Sequence, residues 1–310
     1  MSPPVATVSV IVSTRNRAAS LRPLLASFDR LAPPGVPYEI VIADNASEDE
    51  TPSLLAEWHL GGPGRVILQV LERGKSRALN AAIAASRGEV LAFLDDDVLP
   101  EPRWLIEIWQ HFAGNDCVAA QGAVLWPAEA ENDPLLRTRL EHYGTLVRID
   151  RPAEDARSRL IGVNIALRRH TLAVVGGFDV RLGPGASGHS EDFELSGRIR
   201  ALGGRIDFIP GAVVTHQIDP ASLTDDYFRE FHRKVGRSRY VHKQNSLLLS
   251  ILPNLAMAGL ALAMHTLLRN RELQYRARGR LLHYGEMLRL RFRPDRAPTR
   301  PRPESGPRRW

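Results

Sequence analysis

The sequence predicts an α/β fold: a mainly parallel sheet with helices on both faces, followed by a helical, basic extension. Three observations carry this. First, four short apolar runs, VSVIVST (8–14), YEIVIAD (38–44), RVILQVL (65–71) and EVLAFLD (89–95), read as strands buried on both faces. Second, stretches with helical patterning separate them, and strand–helix alternation implies a parallel sheet covered by helices. Third, the runs end in polar clusters: Thr14-Arg15-Asn16, Asp44-Asn45 and Asp95-Asp96-Asp97. Ligands of such sheets sit beyond the carboxyl ends of the strands, so these clusters mark a site before any chemistry is assigned.

The elements follow in order. Helices are expected over 18–30, over about 49–59 after Asn45-Ala46-Ser47, and over 75–86, where Arg87-Gly88 ends the third. VAAQGAVLW (118–126) reads as a strand. Residues 127–160 are polar and mixed, with Pro127, Pro134 and Pro152 breaking any long helix. GVNIALRRHTLAVVGGFD (162–179) leads into a glycine-rich, mobile loop (183–188) and a helix over about 190–202, stopped by Gly203-Gly204. RIDFIPGAVVTH (205–216) reads as a strand on each side of Pro210-Gly211. The catalytic domain is expected over 1–226, a helical extension over 227–292, and a disordered basic tail over 293–310.

Charge and cysteine usage bound the function. The net charge is +6, but residues 269–310 hold 13 Arg and 4 acids, leaving 1–268 near −3. The tail has only Tyr275, Tyr284, Phe292 and Trp310 for stacking and no RNA-binding motif, so no specific nucleic-acid partner is expected. The single cysteine, Cys117, cannot form an internal bridge and is expected in the core. The lack of cysteine pairs suits a reducing, cytoplasmic compartment. Residues 1–7 lack the basic start and apolar run of a secretory leader, so none is expected. Residues 246–268 carry no formal charge and are long enough to span a bilayer. Pro253, Asn254, Gly259 and His265 dilute that stretch, and basic residues flank it. The expectation is peripheral attachment to the cytoplasmic face of a membrane.

Several side-chain groups carry chemistry. Asp95 and Asp97 would share one side of an extended chain, with Asp96 opposite. Two same-side carboxylates suit a hard divalent ion such as Mn2+ or Mg2+. Asp44 either caps the helix entry, as Ser47 and Glu50 do locally, or accepts hydrogen bonds from a nucleobase. Arg73, Lys75 and Arg77 flank Gly74 at a helix start, an arrangement for a diphosphate or for plain surface charge. Glu191 and Asp192 begin a helix, favourable for dipole reasons alone, or supply a general base. The helix start would lower a base's pKa, and burial would have to offset that. His216 closes the strand GAVVT and is a surface residue or a third metal ligand.

The ordered segments VSVIVSTRNRAASL, VIADNASEDET, GKSRALNAAIAASRGEVLAFLDDD, GVNIALRR, GGFD, SEDFELSGRIRALGG and VVTH resemble the inverting family-2 glycosyltransferases of the GT-A fold. The resemblance spans roughly 7–217. It implies a nucleotide-diphosphate-sugar donor, with UDP preferred on family frequency, and a hydroxyl-bearing glycan or lipid-linked acceptor. It places Thr14, Arg15, Asp44, Arg77, Asp95 and Asp96 around the donor, and Asp95, Asp97 and His216 on the metal. Asp192 falls on the family's base, with Glu191 in support. Ser13 and Glu72 depart from the usual Pro and Asn. The composition and the resemblance together imply a bacterial enzyme of envelope polysaccharide or glycolipid synthesis. Two alternatives remain open. A sugar-1-phosphate nucleotidyltransferase would carry glycines in its first loop, which here is STRNRAAS. A non-catalytic nucleotide-sugar binder would lack turnover.

Overall fold

A computed structural model describes residues 7–60, 64–151, 159–243 and 245–293. Its elements are β1 (Val8–Thr14), α1 (Ala18–Phe28), β2 (Tyr38–Asp44), α2 (Thr51–His59), β3 (Arg65–Gln69), α3 (Lys75–Ala85), β4 (Val90–Leu94), β5 (Val98–Pro100), α4 (Trp104–Gly114) and β6 (Ala119–Leu125). There follow α5 (Ala128–Asn132), α6 (Pro134–Tyr143), β7 (Asn164–Arg168), α7 (Arg169–Val175), α8 (Glu191–Ala201), β8 (Ile206–His216), α9 (Asp225–His242), α10 (Leu252–Leu267) and α11 (Arg271–Phe292).

The strands form one sheet in the order β3-β2-β1-β4-β7-β6-β8-β5. β3, β2, β1 and β4 run parallel, β6 runs parallel to β8, β7 pairs antiparallel with β4 and β6, and β5 pairs antiparallel with β8. Alternate residues of each strand serve two cores, as a doubly covered sheet requires. Val8, Val10, Val12, Ile40 and Ile42 pack with α1, α2 and α4 through Leu24, Leu55 and Trp104. Ile11, Val41, Leu91 and Phe93 pack on the other face with α3, α7 and α8 through Leu79, Leu172 and Leu195.

One expectation changes. Residues 206–216 form one strand, not two: Pro210, Gly211 and Ala212 bulge out of β8 between the Gly122–Ile209 and Ala123–Val213 pairs, so pairing with β6 resumes without ending the strand. The described residues of 127–160 hold two short helices, in keeping with the expectation that prolines break any long one. Asp133 caps α6 by accepting from the Leu135 and Leu136 amides, and Pro134 takes the first helical position, so this proline starts a helix.

The expected 226/227 boundary falls inside the first turn of α9. That helix packs on the loop before α8: Ser238 Oγ lies 2.8 Å from Ser187 Oγ and accepts from the His189 amide at 3.0 Å. α9 in turn holds α11, where the Gly236 backbone approaches the His283 carbonyl so closely that a Cβ would sit 2.4 Å from it. α11 pairs with α10. The expected tail lies outside the described residues, apart from Arg293.

Candidate active site

The site forms where β1, β2 and β4 end. Thr14 is in register with Asp44, and Val12 with Leu94, so Asp95–Asp97 emerge beside the β1 terminus. The three acids diverge, but through a turn at Asp96 and Asp97 between β4 and β5 and not along an extended chain. Asp96 turns to β1, where Thr14 Oγ1 donates to it at 2.7 Å. Asp95 accepts from Lys75 Nζ at 2.6 Å. Asp97 is reached by antiparallel β5–β8 pairing: Val98 opposes His216, and the Asp97 carbonyl accepts from the Gln217 amide at 2.8 Å.

These carboxylates oppose one another's ionisation. Burial, then Asp97, pushes Asp96 up to about 7 against the pull of Arg17 and Thr14. Burial and Asp95 raise Asp97 against His216 and Arg17. A buried cluster of this kind favours an added cation. His216 is 4% exposed, and neither ring nitrogen has a hydrogen-bond partner. Burial lowers its pKa despite Asp97 and Asp95, so the ring is neutral and one of its two nitrogens has a lone pair free to ligate. An unpaired buried imidazole facing oxygen ligands fits a divalent metal. The ligands are not gathered, however. Among the described residues, the trio with ligating atoms all within 4.8 Å of one another is His111, Cys117 and Asp207, at the opposite end of the sheet. Asp95 is drawn to Lys75 instead. Cys117 itself is buried as expected, its thiol pushed up to about 11 by burial and Asp207.

The acid pair lies on the far side of Lys75. Lys75 Nζ is 3.3 Å from Glu191 Oε1. Burial works against the ammonium, but Asp95 and Glu191 outweigh it and hold Lys75 well above the usual lysine range. Asp192 is 7% exposed; its Oδ2 accepts from the Gly162 amide at 2.6 Å and its Oδ1 from the Phe193 amide at 2.7 Å. Those bonds, together with Lys75, lower its pKa, yet burial and then Glu191 win and raise it to about 7. Burial therefore overcomes the helix terminus before any acceptor binds. Lys75, Asp95, Gly162, Glu191 and Asp192 line one small hollow.

The glycine-rich loop, expected to be mobile, is tied on both sides. The Lys75 amide donates to the Pro184 carbonyl, and Ser76 Oγ to the Leu182 carbonyl. At Gly185, with φ +86°, a Cβ would come within 2.9 Å of the Gly74 Cα, so two glycines let the loop reach the start of α3.

The nucleotide-side residues divide. Asp44 is 0% exposed; it accepts from the Ser47 amide at 3.1 Å and from Gln69 Nε2 at 2.9 Å, which is the local turn role. Arg15 turns away from the acids, toward the Ala46 carbonyl and Glu48. Arg77 pairs with Glu72 at 3.0 Å and Arg73 with Glu48 at 2.6 Å, so Lys75 alone of that trio enters the acid cluster. Three residues went unassigned in the sequence. Arg17 stands 3.9 Å from Asp96 and 4.0 Å from Asp97. Asn45 accepts from the Gly74 amide and donates to the Val70 and Glu72 carbonyls, fixing the approach to α3. His189, kept neutral by burial, lies beside Glu191 and Lys75. The polar strand-end position of Asn45 was the one legible signal among them.

Comparison with known proteins places this geometry. The mannosyltransferase PcManGT from Pyrobaculum calidifontis, solved with GDP-Man and Mn2+, superposes with a TM-score of 0.59 at 18% identity, covering 93% of this chain and 86% of that one. Glucosyl-3-phosphoglycerate synthase from Mycobacterium tuberculosis, solved with Mn2+, UDP and phosphoglyceric acid, gives a TM-score of 0.50 at 19% identity over 74% and 76%. The fold is that of the GT-A glycosyltransferases. Residues 9–175, more than half of the chain, match the model of glycosyl transferase family 2, and the chain belongs to that family. A pre-mycofactocin glycosyltransferase of Mycobacterium tuberculosis is 27% identical over 216 residues, 67% of this chain. The chain spans 42% of the length of that relative.

Proposed function

We propose that this chain transfers a sugar, with inversion, from a nucleotide-diphosphate donor to a hydroxyl acceptor, and that it needs a divalent cation. The observation that carries this reading is Asp192: a buried carboxylate raised to about 7, one lysine away from an acid cluster at the ligand edge of the sheet. A base poised near the operating pH combines the right protonation state with driving force.

Asp95, Asp97 and His216 would hold Mn2+ or Mg2+, which when bound neutralises charge building on the diphosphate. Asp95 would have to give up its Lys75 contact to ligate the ion. Thr14 fixes Asp96, and Arg17 steadies both Asp96 and Asp97. Arg15, Asp44 and Arg77 border the nucleotide end; Asp44 acts there through the turn it shapes, and Arg77 reaches phosphate by leaving Glu72. Asp192 takes the acceptor's hydroxyl proton. The freed oxygen attacks the anomeric carbon from the face opposite the diphosphate, and the departing oxygen keeps the bonding electrons. A single displacement inverts the centre. Glu191 keeps Lys75 in register with the base.

UDP is the preferred donor nucleotide. The two superposed enzymes were solved with GDP-Man and with UDP, each with Mn2+. The acceptor is a hydroxyl-bearing glycan or lipid-linked sugar of a bacterial envelope. Residues Leu247–Leu267 are apolar enough to cross a membrane, with mean hydropathy 2.0, and 11% of that stretch is buried. Leu249, Leu252, Met257, Leu260, Met264 and Leu267 form an exposed stripe, with Lys243, Arg269 and Arg271 at its ends. Attachment of this stripe to the cytoplasmic face of the inner membrane would bring the site to its acceptor. A nucleotide-sugar panel with Mn2+, read as nucleoside diphosphate released, tests the reading; a non-catalytic binder would release none.

A further inference from the structure

Beyond His216 the chain runs through Gln217 and Ile218 into a short 3-10 turn, Pro220–Leu223, pinned by Asp219 accepting from the Ala221 amide. α5 and α6 face this turn. Trp126, Ala130, Leu140 and Leu223 build a satellite apolar cluster there, separate from both sheet cores. Between them lies a groove of about 520 Å3, lined by Leu99, Leu136, Ile218, Pro220 and Leu223, with His216 at one end. That volume lies within the ~300–1,000 Å3 of small-molecule sites.

We propose that this groove is a binding subsite for the acyl or isoprenoid chain of a lipid-linked acceptor. The inference rests on the transferase reading above. Three observations support it. The groove is continuous with the acid cluster through His216, which borders both. Its exposed lining is mainly apolar, with Glu129, Arg139 and Gln217 as polar members, whereas a nucleotide-diphosphate sugar is polar along its length and offers nothing to match Leu99, Leu136 and Leu223. Its wall also leads to the exposed apolar stripe. His142 of α6 stacks on Tyr275 of α11 with centroids 5.6 Å apart, Tyr143 meets the same ring edge-on, and α11 pairs with α10. A chain leaving a bilayer at α10 reaches the groove along α6, and its polar head then lies toward His216.

The test is photolabelling of the full chain on phosphatidylglycerol vesicles carrying a phospholipid with a diazirine in its acyl chain, with adducts mapped by mass spectrometry. Adducts are expected on Leu136, Ile218 or Leu223 as well as on α10. Leu136→Arg, at a half-buried position, should lose the groove adducts and keep those on α10. Ile218→Trp, which fills the groove without charge, should do the same. Octyl β-glucoside should suppress groove labelling, and methyl β-glucoside should not. Labelling confined to α10, or unchanged in both variants, overturns the proposal. Donor hydrolysis is assayed separately: its absence alongside specific groove labelling would reject the transferase reading and leave the groove a lipid-chain site with no acceptor role.

Discussion

Lys75 Nζ lies 2.6 Å from Asp95 Oδ1 and joins the acid cluster of β4 to Glu191 at the start of α8. A half-buried ammonium between two carboxylates offsets one of their two charges, and removing it leaves them to repel each other. Lys75→Met should destabilise the fold by less than the ~3–5 kcal/mol of a fully buried pair, since the Lys75 and Asp95 side chains are 19% and 24% exposed. Thermal unfolding measures it. Mn2+ should stabilise the variant more than the wild type, because the ion takes over the neutralisation of Asp95. Equal Mn2+ responses would place the ion away from Asp95.

His216 gives a second stability prediction. Its two unpaired ring nitrogens are a burden without a ligand, since an unsatisfied buried polar group costs about 1–3 kcal/mol. His216→Leu should therefore unfold in EDTA at the same temperature as the wild type, or higher. Mn2+ at about 100 times its Kd should stabilise the wild type by about 2.7 kcal/mol and the variant less. Asp97→Asn should likewise weaken metal-dependent nucleoside-diphosphate binding, which calorimetry reads.

Asp192→Asn removes the proton acceptor at nearly constant shape. Donor and metal affinity should stay within a few-fold, while transfer falls by ~10²–10⁴. Glu191→Gln should do less damage, since Glu191 acts through Lys75. Measuring both variants with one acceptor ranks the pair. A dead Glu191→Gln beside an active Asp192→Asn would reverse the roles.

The pH dependence follows from the Asp192 shift. Below about pH 7 its carboxyl is protonated and cannot accept a proton, so transfer should fall about tenfold per pH unit there. For stability, the folded chain holds this proton more tightly than the unfolded chain, whose value is near 3.8. Asp192 therefore favours folding at low pH, and that contribution is lost as pH rises from about 4 to about 7. Histidines act oppositely: burial pulls His232 and His283 down to about 4, so acid destabilises them. The clean observable is the stability difference between Asp192→Asn and wild type, which should move in favour of the variant across that window. A flat difference would mean an ordinary pKa for Asp192.

Membrane attachment depends on the outer face of α10. Leu260→Glu with Met264→Glu places two charges on the exposed stripe and should move the protein from the membrane fraction to the supernatant. Fractionation after high-salt and then alkaline washing is the measurement. A wild type soluble without salt or detergent would contradict attachment.

The strands, the two-faced core and the acid clusters were legible because burial on both faces writes itself as apolar runs and because strand ends point where strands point. Which cation meets the acids was not. Arg17 reaches Asp96 through a turn in which Asn16 takes φ +51°, and Lys75 is chosen over Arg77 by Gly74 at φ +139° and the phase of α3. Composition does not encode those torsions. The unbroken β8 depends on a bulge at Pro210-Gly211-Ala212 that lets pairing with β6 resume at Val213, which a single-strand pattern cannot reveal. The engagement of α9 with the glycine-rich loop is a long-range contact of the same kind.

The most direct test of the account is donor hydrolysis followed by proton NMR, with UDP-, GDP- and dTDP-sugars in Mn2+ or EDTA. At least one donor should release its nucleoside diphosphate only with the divalent ion, and the liberated sugar should first appear as the anomer opposite to that of the donor. Metal-independent release, or a first product of retained configuration, would contradict it.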